Sequence, residues 1–504
     1  MNDDHDYIRG KLVIRNRFSK VTDLFFDFRF LFLFSLVCLL YIWFATHGGM
    51  TNLFGGYLLK NVFDELGESL LRGKAFVSFE TIGFESYIVG GRSYTYFGPF
   101  PALVRIILNF LFPGHFGEWM ILTCLIAGLL SLIVFSLLIQ DHLVNNKSLT
   151  LTQKESILYF SLIGFGVGSP VLFSVARSWI YHEVILWGVS FLLLAIYLIL
   201  PYLKGKSLSY FNLFSLSFAA ACALLSRVPL GFPIYLFIIL ILLKEINARF
   251  ISKDFKNITR VFFKILIIML PAFSGIGFQL WYNNERFGSY FKFKDEAKYI
   301  GNINSEHGMN EYLRTGMLNI KRIPVAIVNY FGLRKDCFSN NPPFLIITKA
   351  DQGNANLYWY LEHCISWMVV SPWLIFGGLL AIQFLILNYQ TNLLCILIAG
   401  VLSIPAIITL SFWCITQRYT TDFIPLFVFL YLIFVSNLGK EKFYKNHTQK
   451  LIFVNAVLCI FSALTTFIST LGWVKNFADS GDRYVPQIQA IFNFLNSIVR
   501  LIMH

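Results

Sequence analysis

Apolar residues run in blocks along almost the whole chain, broken by short polar connectors and by two long ones. A helix needs roughly 20 mostly apolar residues to cross about 30 Å of hydrocarbon. Eleven blocks meet or approach that length: 29–46, 117–139, 157–175, 184–203, 210–226, 228–243, 262–282, 365–387, 393–413, 420–438 and 451–471. The pattern predicts an all-α polytopic membrane protein with about eleven transmembrane helices. Residues 210–226 and 228–243 meet at Arg227, with Pro229 just beyond, so they form either a tight hairpin or a broken, re-entrant element. The domain reading is a tail over 1–28, a membrane domain over 29–471 and an amphipathic segment over 472–504. The two long connectors are 47–116 and 283–364.

Composition sharpens this picture. The chain of 504 residues is 56% hydrophobic and 14% charged, against about 25% charged in soluble domains, which excludes an ordinary cytosolic enzyme, a disordered chain and a secreted disulfide scaffold. The net charge of +13 is unevenly spread. With the N-terminus inside, the tail and short connectors of one face carry a net +10 and the opposite face +3. The positive-inside rule therefore predicts a cytoplasmic N-terminus and puts both long connectors outside. The bases then serve topology and anionic lipid headgroups rather than nucleic acid. The first block ends at Thr46-His47-Gly48-Gly49 without a cleavage pattern and reads as a retained helix. Six of eight cysteines fall in the blocks, and Cys337 and Cys364 lie in the second long connector, where an oxidising compartment would let them pair. Metal-ligand spacings are absent, so no cofactor is called for, and assistance by a divalent cation stays open.

Chemistry in a membrane protein follows its irregular polar segments. In 47–116, the positions Tyr57, Leu58, Val62, Leu66 and Leu70 trace a helical stripe with Asp64, Glu65 and Glu68 beside it, and Gly73 stops the helix. Phe97-Gly98-Pro99-Phe100-Pro101 opens a second apolar helix over 102–112, too short to span and expected along the interface. Asp64 or Glu65 at the membrane surface is either a solvated helix face or a general base for an acceptor hydroxyl. Glu68, Glu80 and Glu85 lack a motif, with Glu85 kept as a substrate contact. His47 and His115, near span ends, read as interfacial.

Arg177, His182 and Glu183, in Ala-Arg-Ser-Trp-Ile-Tyr-His-Glu, stand at a turn between two spans, where charged groups face a cavity and pair. The arginine suits a phosphate, with the other two orienting it or a sugar; anchoring beside Trp179 and Tyr181 explains the same residues equally well. Arg227 has no local counter-charge. Arg418 and Asp422 stand at i, i+4 and would share a helix face, pairing with each other unless Arg418 meets a phosphate. Arg286 sits in the second long connector, which carries ten bases and eight acids, including Lys292, Lys294, Lys298 and Lys335.

Phe63-Asp64-Glu65 followed by Ser69-Leu70-Leu71-Arg72-Gly73 resembles the acidic-pair stretch of the GT-C superfamily of integral-membrane glycosyltransferases. Arg418-Tyr419 with Asp422-Phe423, and the stretches 94–101, 177–188 and 283–293, are similar to segments of that group. Leu66 and Gly67 stand where a tyrosine often follows the pair, so either acid fits the base role. The resemblance implies a polyprenyl-phosphate-linked sugar donor, a glycan or lipid-linked acceptor and inversion at the anomeric carbon. It implies Asp64 or Glu65 as base, Arg418, Arg227 and Arg177 at the donor phosphate, and His182, Glu183, Glu85, Arg286 and Asp422 around the substrate. It also implies an active face on the periplasmic side of a bacterial inner membrane. In length and composition the chain is similar to O-antigen-modifying glucosyltransferases. The rival readings are an O-antigen polymerase or ligase and a lipid-linked sugar flippase.

Overall fold

The computed structural model describes residues 27–49, 51–205, 208–252, 266, 269–293, 298–300, 306–334, 337–338, 345, 348–350, 357–440, 442–477 and a few positions beyond. The tail over 1–26, Lys294, Lys335 and most of the segment after 477 lie outside the described residues. The helices that matter here are α1 (Phe28–Ala45), α2 (Val62–Leu71), α3 (Phe100–Leu111), α4 (Met120–Asn145), α5 (Leu151–Gly166), α6 (Pro170–Ala176), α7 (Ile180–Leu203), α8 (Tyr210–Ser226), α9 (Val228–Ser252), α10 (Leu270–Phe287), α11 (Glu306–Thr315), α12 (Ile323–Phe331), α13 (Pro372–Leu387), α14 (Leu393–Ser411), α15 (Ile424–Asn437) and α16 (Lys442–Phe477).

Every predicted span has a helix, and among the described residues seven are long and apolar enough to cross a membrane: Phe28–Ala45, Met120–Asn145, Leu151–Ala176, Ile180–Leu203, Leu393–Ser411, Gln417–Asn437 and Tyr444–Trp473. Four shorter apolar helices join them, Phe100–Leu111, Tyr210–Ser226, Val228–Leu243 and Pro372–Leu387. Of the predicted span 262–282, residues 262–265, 267 and 268 lie outside the described residues, and the described helix Leu270–Phe287 ends in turns carrying Gln279, Asn283 and Arg286, too polar for hydrocarbon. The doubtful pair is a hairpin. Arg227 leaves helical geometry (φ −152°, ψ 108°) and α8 and α9 pack side by side.

Local signals explain the breaks. Asp27 caps α1 by accepting from the Arg29 amide at 3.0 Å and from the Tyr159 hydroxyl of α5 at 2.8 Å. Ser169-Pro170 interrupts the third span, since proline has no N–H to continue the ladder. At the break, the Gly168 carbonyl is taken by Ser371 Oγ and Trp373 Nε1, as a dry interior requires.

The first long connector holds more than the two predicted helices. Strands β1 (Phe76–Val77), β2 (Tyr87–Val89) and β3 (Arg92–Tyr94) form an antiparallel sheet in the order β1-β3-β2. Gly90-Gly91 turns it with both residues at positive φ (57° and 75°), a conformation that favours glycine. In the second connector β4 (Thr348–Lys349) pairs antiparallel with β6 (His363–Cys364), while β5 (Tyr360–Leu361) pairs parallel with β7 (Cys414–Ile415). The two connectors meet where Tyr87 bridges Tyr299 and the Ile300 amide donates to the Ser86 carbonyl. Cys337 and Cys364 are separate thiols. Burial pushes the Cys364 thiol up to about 12.

Candidate functional site

The connectors, the Arg227 hairpin and the C-terminal end of α14 enclose a cavity of about 310 Å³. Its walls are mostly apolar, but three guanidiniums reach them, those of Arg227, Arg286 and Arg418. Arg227 comes from the hairpin turn, Arg286 from the polar end of α10, and Arg418 from the 3₁₀ stretch Gln417–Phe423 that precedes α15. A close backbone crossing shapes the fourth wall. A Cβ on Gly98 would lie 2.2 Å from the Leu225 carbonyl oxygen and 2.3 Å from that of Ser226. Glycine alone lets the Tyr96-Phe97-Gly98 turn press onto the hairpin.

The arginines differ in how they are held. Arg227 donates through Nε (3.1 Å) and Nη2 (2.6 Å) to the two oxygens of Asp422, which also accepts from Thr409 Oγ1 at 2.7 Å. Arg418 donates to Glu362 Oε2 at 3.1 Å, and Arg177 to Glu362 Oε1 at 3.2 Å. Arg418 and Asp422 therefore do not pair with each other. At three residues per turn, positions four apart diverge by about 120°, whereas an α-helix would have aligned them. Arg286 is 2% exposed and, among the described residues, donates only to neutral oxygens, those of Thr95, Tyr282 and Asn283. Among the described residues no carboxylate lies within 4 Å of it. With no counter-anion among the described residues, this buried guanidinium makes the cavity attractive to an anionic ligand.

Asp64 lies elsewhere. It is fully buried on α2, lines a separate cavity of about 480 Å³, and stands 3.4 Å from Arg105 Nε. Arg105 Nη2 reaches Glu183 Oε2 at 2.8 Å, Thr123 donates to Glu183 Oε1 at 2.7 Å, and Asn109 donates to Asp64 Oδ1 at 2.9 Å. The chain Asp64–Arg105–Glu183 thus joins α2, α3 and α7. Glu65 accepts from the amide and hydroxyl of Ser78 (2.6 and 3.0 Å) and so tethers α2 to the turn after β1. His182 is buried between Phe173 and Trp179, with Nδ1 lacking a hydrogen-bond partner among the described residues. Arg177 stacks on Trp179 at 3.6 Å from the ring centre and on Trp473 at 4.6 Å.

The expectation of one site is therefore split. Arg227, Arg286, Arg418 and Asp422 converge, and Glu85 joins them through Tyr181. Asp64, Glu65 and Glu183 lie outside the walls of that cavity. Glu85 is 6% exposed and accepts from Tyr181, a cavity wall residue, and from Tyr299 at 2.9 Å. Burial, and next the Glu85 carboxylate, push the Tyr96 phenol well above its usual value.

Sequence reading passed over Arg105 and Glu362. Arg105 is the sole charge in the apolar run Phe100–Leu111, a signal that was available. Glu362 had none, because the parallel β5–β7 pairing and its amide bond to the Ile415 carbonyl carry it to Arg418. Among the described residues, no three His, Cys, Asp or Glu side chains group as a metal site.

No family model matches the sequence, and no curated protein matches it. Three solved structures of the Archaeoglobus fulgidus oligosaccharyltransferase are similar to the chain over 92% of its length. The apo form shares 14% identity with a TM-score of 0.48. A complex with an inhibitory peptide and a dolichol-phosphate shares 13% at 0.44, and a form tethered to an acceptor peptide with the NVT sequon shares 12% at 0.42. The chain spans about 60% of those chains. At these scores no residue's role transfers.

Proposed function

We propose that the chain is a GT-C-type glycosyltransferase that moves a sugar from a polyprenyl-phosphate donor to a glycan or lipid-linked acceptor. The observation that carries this reading is the apolar cavity with Arg227, Arg286 and Arg418 on its walls. An isoprenoid chain fits the apolar lining, and the guanidiniums meet the phosphate. The acceptor oxygen attacks the anomeric carbon opposite the phosphate, the carbon–oxygen bond to phosphate breaks, and the electron pair leaves with polyprenyl phosphate. Inversion follows from that single displacement. Fixed cations at the departing oxygen stabilise charge where it develops, without reorganisation at the moment of reaction.

The charge bias between the faces supports a cytoplasmic N-terminus and a reaction on the extracytoplasmic side of a bacterial inner membrane. O-antigen or lipopolysaccharide glucosylation is the finer form of the proposal. Asp64, Glu183 and Arg105 hold the two connector helices against α7, and Asp422 aims Arg227.

The test is a transfer assay in liposomes with labelled polyprenyl-phosphate sugars. Removing Arg418 forfeits a charge-assisted contact worth about 1.5–3 kcal/mol, so Arg418→Ala should weaken donor binding roughly ten- to a hundredfold. Turnover of a diphosphate-linked oligosaccharide alone would replace this reading with a polymerase or ligase.

A further inference from the structure

Besides Asp141, five carboxylates are buried among the described residues, and four are already held by guanidiniums: Asp64 and Glu183 by Arg105, Glu362 by Arg177 and Arg418, and Asp422 by Arg227. Protonating Glu362 would leave the Arg177 and Arg418 guanidiniums without their carboxylate and protonating Asp422 would leave Arg227 without its own, while Asp64 and Glu183 share Arg105 away from this cavity. Glu85 differs. Its oxygens accept from the hydroxyls of Tyr181 and Tyr299, and among the described residues no cation lies within 4 Å of it. It does not itself line the cavity, whereas Tyr181 and Tyr96 do. The Arg418 guanidinium sits 4.5 Å from the centre of the Tyr181 ring, so that phenol stands between the buried carboxylate and a cation of the donor pocket.

This setting is built by the fold. Glu85 ends the 3₁₀ turn Gly83–Glu85 just before β2, and Tyr299 arrives through the Tyr87–Tyr299 bridge between the two connectors. Tyr181 occupies the first turn of α7, packed 5.4 Å from Phe97 in edge-on geometry.

We infer that Tyr181 and Glu85 form a proton relay that deprotonates the acceptor hydroxyl, with Tyr181 as the catalytic residue and Glu85 as the buried proton acceptor behind it. This inference rests on the glycosyltransferase reading of the same cavity. As the acceptor oxygen bonds to the anomeric carbon, its proton passes to the Tyr181 oxygen while the Tyr181 proton passes to Glu85. The electron pair of the broken bond leaves on the phosphate oxygen. Glu85 afterwards returns its proton through Tyr181 to water or to the departing phosphate. The charged and titratable groups facing the dyad are Tyr96 and Tyr299 at Glu85, with Arg418 and Glu362 near Tyr181.

The test uses the full chain in liposomes, with polyprenyl phosphate alone as the binding probe and labelled polyprenyl-phosphate glucose plus a lipid-linked oligosaccharide for transfer. Tyr181→Phe keeps the ring against Phe97 and under Arg418 and removes only the hydroxyl. Tyr181→Phe and Glu85→Gln should each bind polyprenyl phosphate as the parent does, yet lose about a hundredfold or more in transfer. The double variant should be no worse than either single one, because the pair acts as a unit. Glu85→Gln should also remove the acid limb of the kcat–pH profile, which a purely structural role would leave in place. Should Glu85→Gln not fold, Tyr181→Phe decides alone. Transfer within threefold of the parent in Tyr181→Phe, with donor binding intact, overturns the relay and leaves the donor pocket standing. Failure of the parent to bind polyprenyl phosphate overturns the glycosyltransferase reading itself.

Discussion

Replacing Arg105 by Met would leave the Asp64 and Glu183 carboxylates facing each other, all three groups at 0% exposure. Asn109 would still donate to Asp64 and Thr123 to Glu183, but among the described residues no cation would remain within 4 Å of either acid. Breaking a buried ion pair by removing one partner costs about 3–5 kcal/mol, whereas replacing the whole charged set by apolar or neutral groups is often neutral. Arg105→Met should therefore lower the folded-to-unfolded ratio by roughly two to four orders of magnitude. The variant with Asp64→Asn and Glu183→Gln added should recover most of that loss. Denaturant titration in detergent micelles, read by tryptophan fluorescence, measures both. The compensated variant also tests whether Asp64 is structural: if Asp64 only neutralises Arg105, the triple variant should transfer sugar at close to the parent rate. Equal stability of parent and Arg105→Met would refute the buried-pair account. A stable triple variant with no transfer would return Asp64 to the catalytic role.

Three further outcomes follow. Gly98→Ala forces a Cβ to 2.2–2.3 Å from two hairpin carbonyls, so it should displace Arg227 and cut polyprenyl-phosphate binding at least tenfold; unchanged binding would show that the hairpin yields freely. Arg227→Lys loses the two-pronged contact to Asp422, which a point ammonium cannot reproduce, and should lower both melting midpoint and donor affinity, read by thermal shift with and without polyprenyl phosphate. Burial pushes the His47 imidazole below its ordinary value, against a weaker opposing effect of its bond to the Ala176 carbonyl. The neutral ring is favoured in the fold, so its contribution is present above about pH 6.5 and is lost as pH falls below that value. Melting midpoints between pH 5 and 8 should decline on the acid side in the parent and less in His47→Gln.

The periodicity of apolar residues was enough to place a helix at each predicted span, because burial of a twenty-residue apolar run depends only on the run itself. Among the described residues, seven of these helices are long and apolar enough to cross, while Tyr210–Ser226, Val228–Leu243 and Pro372–Leu387 are shorter and α10 ends in polar turns. Arg227 was readable as a charge without a local partner, and Arg418 and Asp422 as a pair near a cavity. Their true partners, Glu362 and Arg227, are far away in sequence and meet them only through the β5–β7 pairing and the packing of the hairpin. The acidic pair after the first span is conspicuous in the sequence, yet the tertiary structure turns Asp64 toward Arg105 and Glu65 toward Ser78, and brings Glu85 behind Tyr181 of the cavity wall. Composition and spacing determine which segments leave water. Which charges meet inside is decided by long-range packing, because a buried ion finds its counter-ion through the whole fold rather than through its neighbours in the chain.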